Sequence, residues 1–272
     1  MFDNDLHIPL RFYNAVEKQD RFKPYNKSKR FNQYTDIYHL PEFQVKLAYG
    51  TSSYSLKLVE AITGIESSFN FGAFSSDFTI NTYEELHYSQ LVYFRTTEFT
   101  PTLPIGDYYL KLTAGSDYFY SEVFAVTDIS DKTILEYYNT NDLAGIDYTN
   151  DADPQFKITF IFDATIAKPE YVLEEEAVED GDGSQMLTWS RSVKEFKMWF
   201  YAPEYIADAM ALVGLHDFVT LTTHYGMPNQ ETGLIYDFTM VSEWMESKGL
   251  SKITCTFRDA PIIKTNCANN LA

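Results

Sequence analysis

The chain has 272 residues and a mass of 31.4 kDa, with 21 basic against 39 acidic side chains, a formal charge of -18 and a pI near 4.6. Aromatic residues make up 17%, with 21 Tyr and 21 Phe, which excludes a disordered chain lacking the groups to build a core. The charge argues against a phosphate backbone as partner, and no stretch approaches the ~20 apolar residues of a membrane helix, so neither nucleic acid nor membrane is expected to be bound.

Met1-Phe2-Asp3-Asn4-Asp5 has no basic segment followed by an apolar one, so no secretory signal is expected. Cys255 and Cys267 are the two cysteines, which suits a protein made in a cytosol and leaves room for one disulfide at most. Cys255 lies in the alternating run Ile253-Thr254-Cys255-Thr256-Phe257 and reads as a small core residue.

Residues 1–39 read as an extended basic and aromatic arm. Between residues 11 and 30, Arg11, Lys18, Arg21, Lys23, Lys27, Lys29 and Arg30 stand against Glu17 and Asp20. Phe12, Tyr13, Phe22, Tyr25, Phe31 and Tyr34 are interleaved with them. Cations with rings suit single-stranded nucleic acid, but the charge of the whole chain favours an acidic protein surface instead.

Residues 40–128 read as a first β domain. Phe43 to Leu47 and Tyr54 to Leu58 alternate apolar with polar, as strands with one buried face do. Leu91 to Phe94 is an apolar strand, and Gly106 to Leu112 with Tyr118 to Val126 forms a hairpin closed by Ala114-Gly115-Ser116-Asp117. The run Pro104-x-Gly106-x-Tyr108-x-Leu110 resembles the late strands of immunoglobulin-like sandwiches.

Residues 129–154 read as a connector that contains a strand at Ile134 to Tyr138. Residues 155–265 read as a second β-sandwich domain. Phe156 to Phe162, Phe218 to Thr222, Leu234 to Phe238 and Ile253 to Phe257 are its strands. Tyr171 to Glu176 and Met186 to Tyr201 form the arms of a long hairpin. One helix is expected over 203–213, opened by Pro203 and Glu204, with Ile206, Met210 and Val213 on one face and Gly214 at its end. A shorter helical turn is expected at Val241 to Met245, and residues 266–272 form a C-terminal tail.

Glu170, Glu174, Glu175, Glu176, Glu179, Asp180 and Asp182 fall within thirteen residues that hold no Lys or Arg. Asp180-Gly181-Asp182-Gly183 offers oxygen ligands suited to Ca²⁺ but lacks the twelve-residue loop with its closing Glu. A solvated hairpin tip is the simpler reading, and an acidic tip that docks on a neighbour's basic arm is a third. His7, His39, His87, His216 and His224 form no zinc spacing and read as structural or surface residues. There is no nucleophile elbow and no phosphate-cradling loop, so neither catalysis nor a cofactor is expected. The aromatic excess reads as core and interface filling, with a sugar-binding face as the rival.

Leu40-Pro41-Glu42-Phe43-Gln44, Gly106-Asp107-Tyr108-Tyr109-Leu110, Pro169-Glu170-Tyr171, Ala202-Pro203-Glu204-Tyr205 and Lys264-Thr265-Asn266-Cys267 follow one another in an order that resembles structural proteins of tailed phages and prophages of Bacteroidota hosts. That resemblance implies a virion component made in the host cytoplasm. It implies a place in the tail tip, baseplate or neck, assembly as a ring of copies, and other virion proteins as partners. The expected contacts are Arg21, Lys23, Lys27, Lys29 and Arg30 on the arm, and Glu174, Glu175, Glu176, Asp180 and Asp182 on the hairpin. The alternatives are a carbohydrate- or receptor-binding module and a glycan hydrolase with a carboxylate pair in a cleft.

Overall fold

The computed structural model describes residues 8–14, 33–48, 51, 53–70, 78–82, 89–94, 102–148, 156–179, 181–183, 185–245, 250–259 and 262–265. The chain is mainly β, with one helix among the described residues. Its first ten strands are β1 (Phe12–Asn14), β2 (Gln33–Thr35), β3 (Phe43–Ala48), β4 (Tyr54–Glu60), β5 (Glu66–Asn70), β6 (Phe78–Thr82), β7 (Ser89–Phe94), β8 (Gly106–Ala114), β9 (Asp117–Ser121) and β10 (Phe124–Val126).

They build a two-layer unit. One sheet has the order β3-β7-β6, and the facing one runs β5-β4-β8, with β9 and β10 sharing the far edge of β8. This strand arrangement matches that of an immunoglobulin-like sandwich. Alternation sets the core: Phe43, Val45 and Leu47 of β3 are buried in one cluster with Leu56 and Leu58 of β4 and Leu110 and Leu112 of β8. Tyr108, the aromatic after the Pro-x-Gly turn, is also buried there. Gly115, at φ 61, turns β8 into β9 where a side chain would be strained. The break between β9 and β10 is bridged by Ser121, whose hydroxyl accepts from the Leu110 N–H at 2.8 Å and donates to the Glu122 carbonyl at 2.7 Å.

Two pieces of residues 1–39 are strands of the body. β1 pairs antiparallel with β9, and its Phe12 ring lies 4.5 Å from that of Phe43. β2 pairs parallel with β10 and antiparallel with the later strand Ile158–Phe162, so it joins the two halves of the chain in one hydrogen-bonded sheet. At these places the N-terminal segment packs on its own chain.

The second unit contains β11 (Thr133–Tyr138), β12 (Ile158–Phe162), β13 (Thr165–Ile166), β14 (Glu170–Glu179), β15 (Gln185–Ala202), α1 (Glu204–Val213), β16 (Phe218–Thr223), β17 (Glu231–Met245), β18 (Leu250–Asp259) and β19 (Ile262–Thr265). The strand expected inside a connector, β11, is an interior strand paired on both edges, by β12 and β16. The sheet runs β12-β11-β16-β17-β18-β15-β13 and folds over on itself, since only Asp163 and Ala164 separate its end strands β12 and β13. Phe162 of β12 meets Phe200 of β15 across the fold at 4.7 Å between centroids.

The helix turns Ile206, Met210 and Val213 into the core. Gly214 ends it at φ -66, so the glycine serves close approach: a Cβ there would lie 2.8 Å from the Phe238 carbonyl oxygen. The helical turn expected at Val241 to Met245 is instead the end of β17, paired with β18 from Val241↔Thr254 to Met245↔Leu250. A fully paired neighbouring strand outweighs local helical spacing over five residues.

Residues 139–148 tie the units together. Gln44, 1% exposed on the outward side of β3, donates from Nε2 to the Asp147 carbonyl at 2.6 Å. The Asp147 N–H donates back to Gln44 Oε1 at 3.0 Å. The next residue, Tyr148, stacks on Phe156 and hydrogen-bonds His216 of the second unit. One apolar cluster therefore runs from Ile8 to Phe257.

Candidate functional site

The long hairpin of β14 and β15 is the feature that leaves the body. Its strands pair from Glu170↔Glu195 to Glu179↔Gln185. β18 covers only Glu195 to Ala202 of β15. The first ten residues of β15 run beyond it, flanked by β14 and, from Trp189 to Ser192, by β19. Ten residues at about 3.3 Å each give a reach of about 30 Å. A bulge follows Glu176, where the Thr188 hydroxyl donates to the Glu176 carbonyl at 2.8 Å.

One face of the hairpin carries a charged network. Arg191 pairs with Glu174, its cross-strand neighbour. Arg258 of β18 reaches Glu195 at 3.1 Å, Asp237 at 3.7 Å and Glu174 at 3.8 Å. Lys197 bridges Glu170 at 3.1 Å and Glu195 at 3.4 Å, and the Trp189 indole donates to Glu176. Desolvation pushes the Glu195 carboxyl up, but hydrogen bonds from Arg258 and Lys197 outweigh it and hold it below the usual carboxylate range. The same two acids, Glu170 first, raise the Lys197 ammonium above its ordinary value.

The opposite face is apolar at its base and acidic toward its tip. Tyr171 and Leu173 are 73% and 64% exposed, and Glu175 follows them on that face. Opposite them stand Lys194, Ser192 and Ser190, on the side of β15 that farther along presents Met198 and Phe200 to the core. At the base lies a cleft of about 250 Å³, lined by Lys194, Phe196, Leu221, Thr223, Glu231 and Ile235. Lys194 on its wall lies 3.1 Å from Glu231 and 4.5 Å above the Phe196 ring.

The expected contact residues divide accordingly. Glu174 and Glu176 are engaged within the hairpin, Glu175 is exposed on the other face, and Asp182 sits in the turn. Asp180 and the arm residues Arg21, Lys23, Lys27, Lys29 and Arg30 lie outside the described residues. Sequence reading missed Arg191, Lys197 and Arg258 as partners of the acids. The signal for Arg191 was present, because a hairpin folded at its Gly-Asp-Gly turn brings Glu174 opposite it. Nothing local announces Arg258, which comes from another strand.

Among the described residues no three His, Cys, Asp or Glu side chains gather to hold a metal ion. His216 is a core residue: its Nδ1 donates to the Leu212 carbonyl at 2.8 Å, leaving Nε2 to accept from the Tyr148 hydroxyl at 2.8 Å. Burial lowers its pKa and keeps the ring neutral. His39 and His224 pair with Asp36 and Asp131 at the surface. Cys255 is a buried free thiol whose pKa is raised by desolvation.

No family model and no curated protein matches this chain. A solved chain from "Crystal structure of Dpr2 Ig1-Ig2 in complex with DIP-Theta Ig1-Ig3" is similar at 9% identity over 85% of this chain and 87% of that one, with a TM-score of 0.15. A likeness of that size carries no argument.

Proposed function

We propose that this chain is a non-catalytic structural protein that assembles with copies of itself through its projecting hairpin. The resemblance to tailed-phage structural proteins suggests a ring in the tail tip, baseplate or neck. The observation that carries this reading is β14: ten residues, none buried, with Tyr171 and Leu173 open to solvent. Ordering such a strand costs about 1–2 kcal/mol per residue in backbone entropy, and little burial on its own body offsets that. Contact with a neighbour supplies the missing burial.

Sedimentation velocity of the full chain across a concentration series tests the reading. Reversible association is expected, and Tyr171→Ser with Leu173→Ser is expected to abolish it. A chain that stays monomeric at the highest concentration, or an unaffected variant, refutes the proposal. The exposed aromatics Tyr171, Tyr201 and Trp244 favour a second reading, glycan binding. Specific glycan capture lost on one aromatic substitution would replace the first reading with the second.

A further inference from the structure

β14 pairs with β15 along one edge, and no described strand pairs with its other edge. An open edge ten residues long offers unpaired N–H and C=O groups to an incoming strand. Repeated glutamates there oppose pairing of β14 with another β14, since like charges would face each other. They select a basic strand instead. The chain carries one such stretch, Lys27-Ser28-Lys29-Arg30-Phe31, immediately before β2.

We propose that the open edge of β14 is a strand-addition site for the Lys27–Phe31 stretch of a second copy. This deepens the assembly reading above and rests on it. Laid antiparallel, Phe31 falls opposite Leu173 and Lys29 opposite Glu175, with Lys27 diagonal to Glu175 and Glu179. Basic residues then meet the acidic part of that face, and the aromatic ring meets its apolar base. The link from Phe31 to Gln33 spans at most about 7 Å. Gln33 lies opposite Phe162, which packs on Phe200, and Phe200 stands eight residues along β15 from Ser192, the partner of Leu173. At about 3.3 Å per residue that is about 26 Å, beyond the reach of the link, which favours a neighbour as the donor. Donor and acceptor surfaces differ, so the contact is head-to-tail and propagates into a ring or a filament.

The test uses a fluorescent peptide of residues 24–33 and the full chain carrying Lys27→Glu, Lys29→Glu and Arg30→Glu, whose own stretch no longer competes. Anisotropy is expected to show binding that weakens with salt and falls about tenfold or more with Glu175→Lys in the receptor. N-methylation supplies the signature of an added strand, because only alternate residues of the peptide face β14. Methylating Lys27, Lys29 and Phe31, or else Ser28, Arg30 and Asn32, is expected to abolish binding in one set and spare it in the other. Equal effects of the two sets, or equal binding of a scrambled peptide, overturn strand addition. If the unmodified chain still associates through Tyr171 and Leu173, the assembly reading survives that result. If it stays monomeric and no peptide binds, both fall.

Discussion

Replacing Gln44 by Met tests whether the two units are one folding body. Met nearly preserves the volume and removes both hydrogen bonds to the Asp147 backbone, at 2.6 and 3.0 Å. Gln44 is 1% and Asp147 5% exposed, so water does not readily replace the lost partner. Each buried backbone group that loses a partner costs about 1–3 kcal/mol, which gives about 2–6 kcal/mol for the pair. That is a large part of the roughly 5–15 kcal/mol that holds a typical domain folded. With a urea slope of about 2–3 kcal/mol/M, the midpoint falls by about 1–2 M. The chain carries its own reporters, since Trp189, Trp199 and Trp244 all lie in the second unit while Gln44 lies in the first. If Gln44, Tyr148 and β2 fuse the units, Trp fluorescence and far-UV circular dichroism move together by the same amount. A fluorescence midpoint that stays put while the dichroism curve splits would refute the reasoning.

Three further outcomes are expected. His216 has a folded pKa below its unfolded value, so the unfolded chain binds the proton more tightly. Its contribution is whole above about pH 6.5 and is lost as the pH falls below that. Thermal melts at pH 7.5 and 5 should therefore converge in His216→Gln relative to the parent chain. Arg258→Met leaves the largely buried Glu195 with Lys197 alone and is expected to cost about 1–3 kcal/mol. Adding Glu195→Gln should recover part of that loss, and a fully additive double-mutant cycle would exclude the coupling. Cys255 should resist a thiol reagent in the native chain and react once urea unfolds it, as read by mass spectrometry of the peptide that holds it.

Much of the local structure is legible in the sequence. Alternation at Phe43 to Leu47, Tyr54 to Leu58 and Gly106 to Leu112 gives strands and assigns their buried faces. Pro203, Ile206, Met210 and Gly214 give the helix, and the Asp-Gly-rich turn gives the long hairpin. Each of these is encoded within a few residues, where backbone geometry repeats with a fixed period. Periodicity says which way a side chain faces but not what comes to cover it. Gln44 reads as an outward polar position and is buried because a segment a hundred residues later lies on it. Glu174 reads as part of an unpaired acidic cluster and is engaged because cross-strand register and a third strand deliver Arg191 and Arg258. Residues 33–35 read as part of a free arm and become the strand that joins both units. These outcomes depend on contacts distant in sequence, which only the closed fold brings within hydrogen-bonding range.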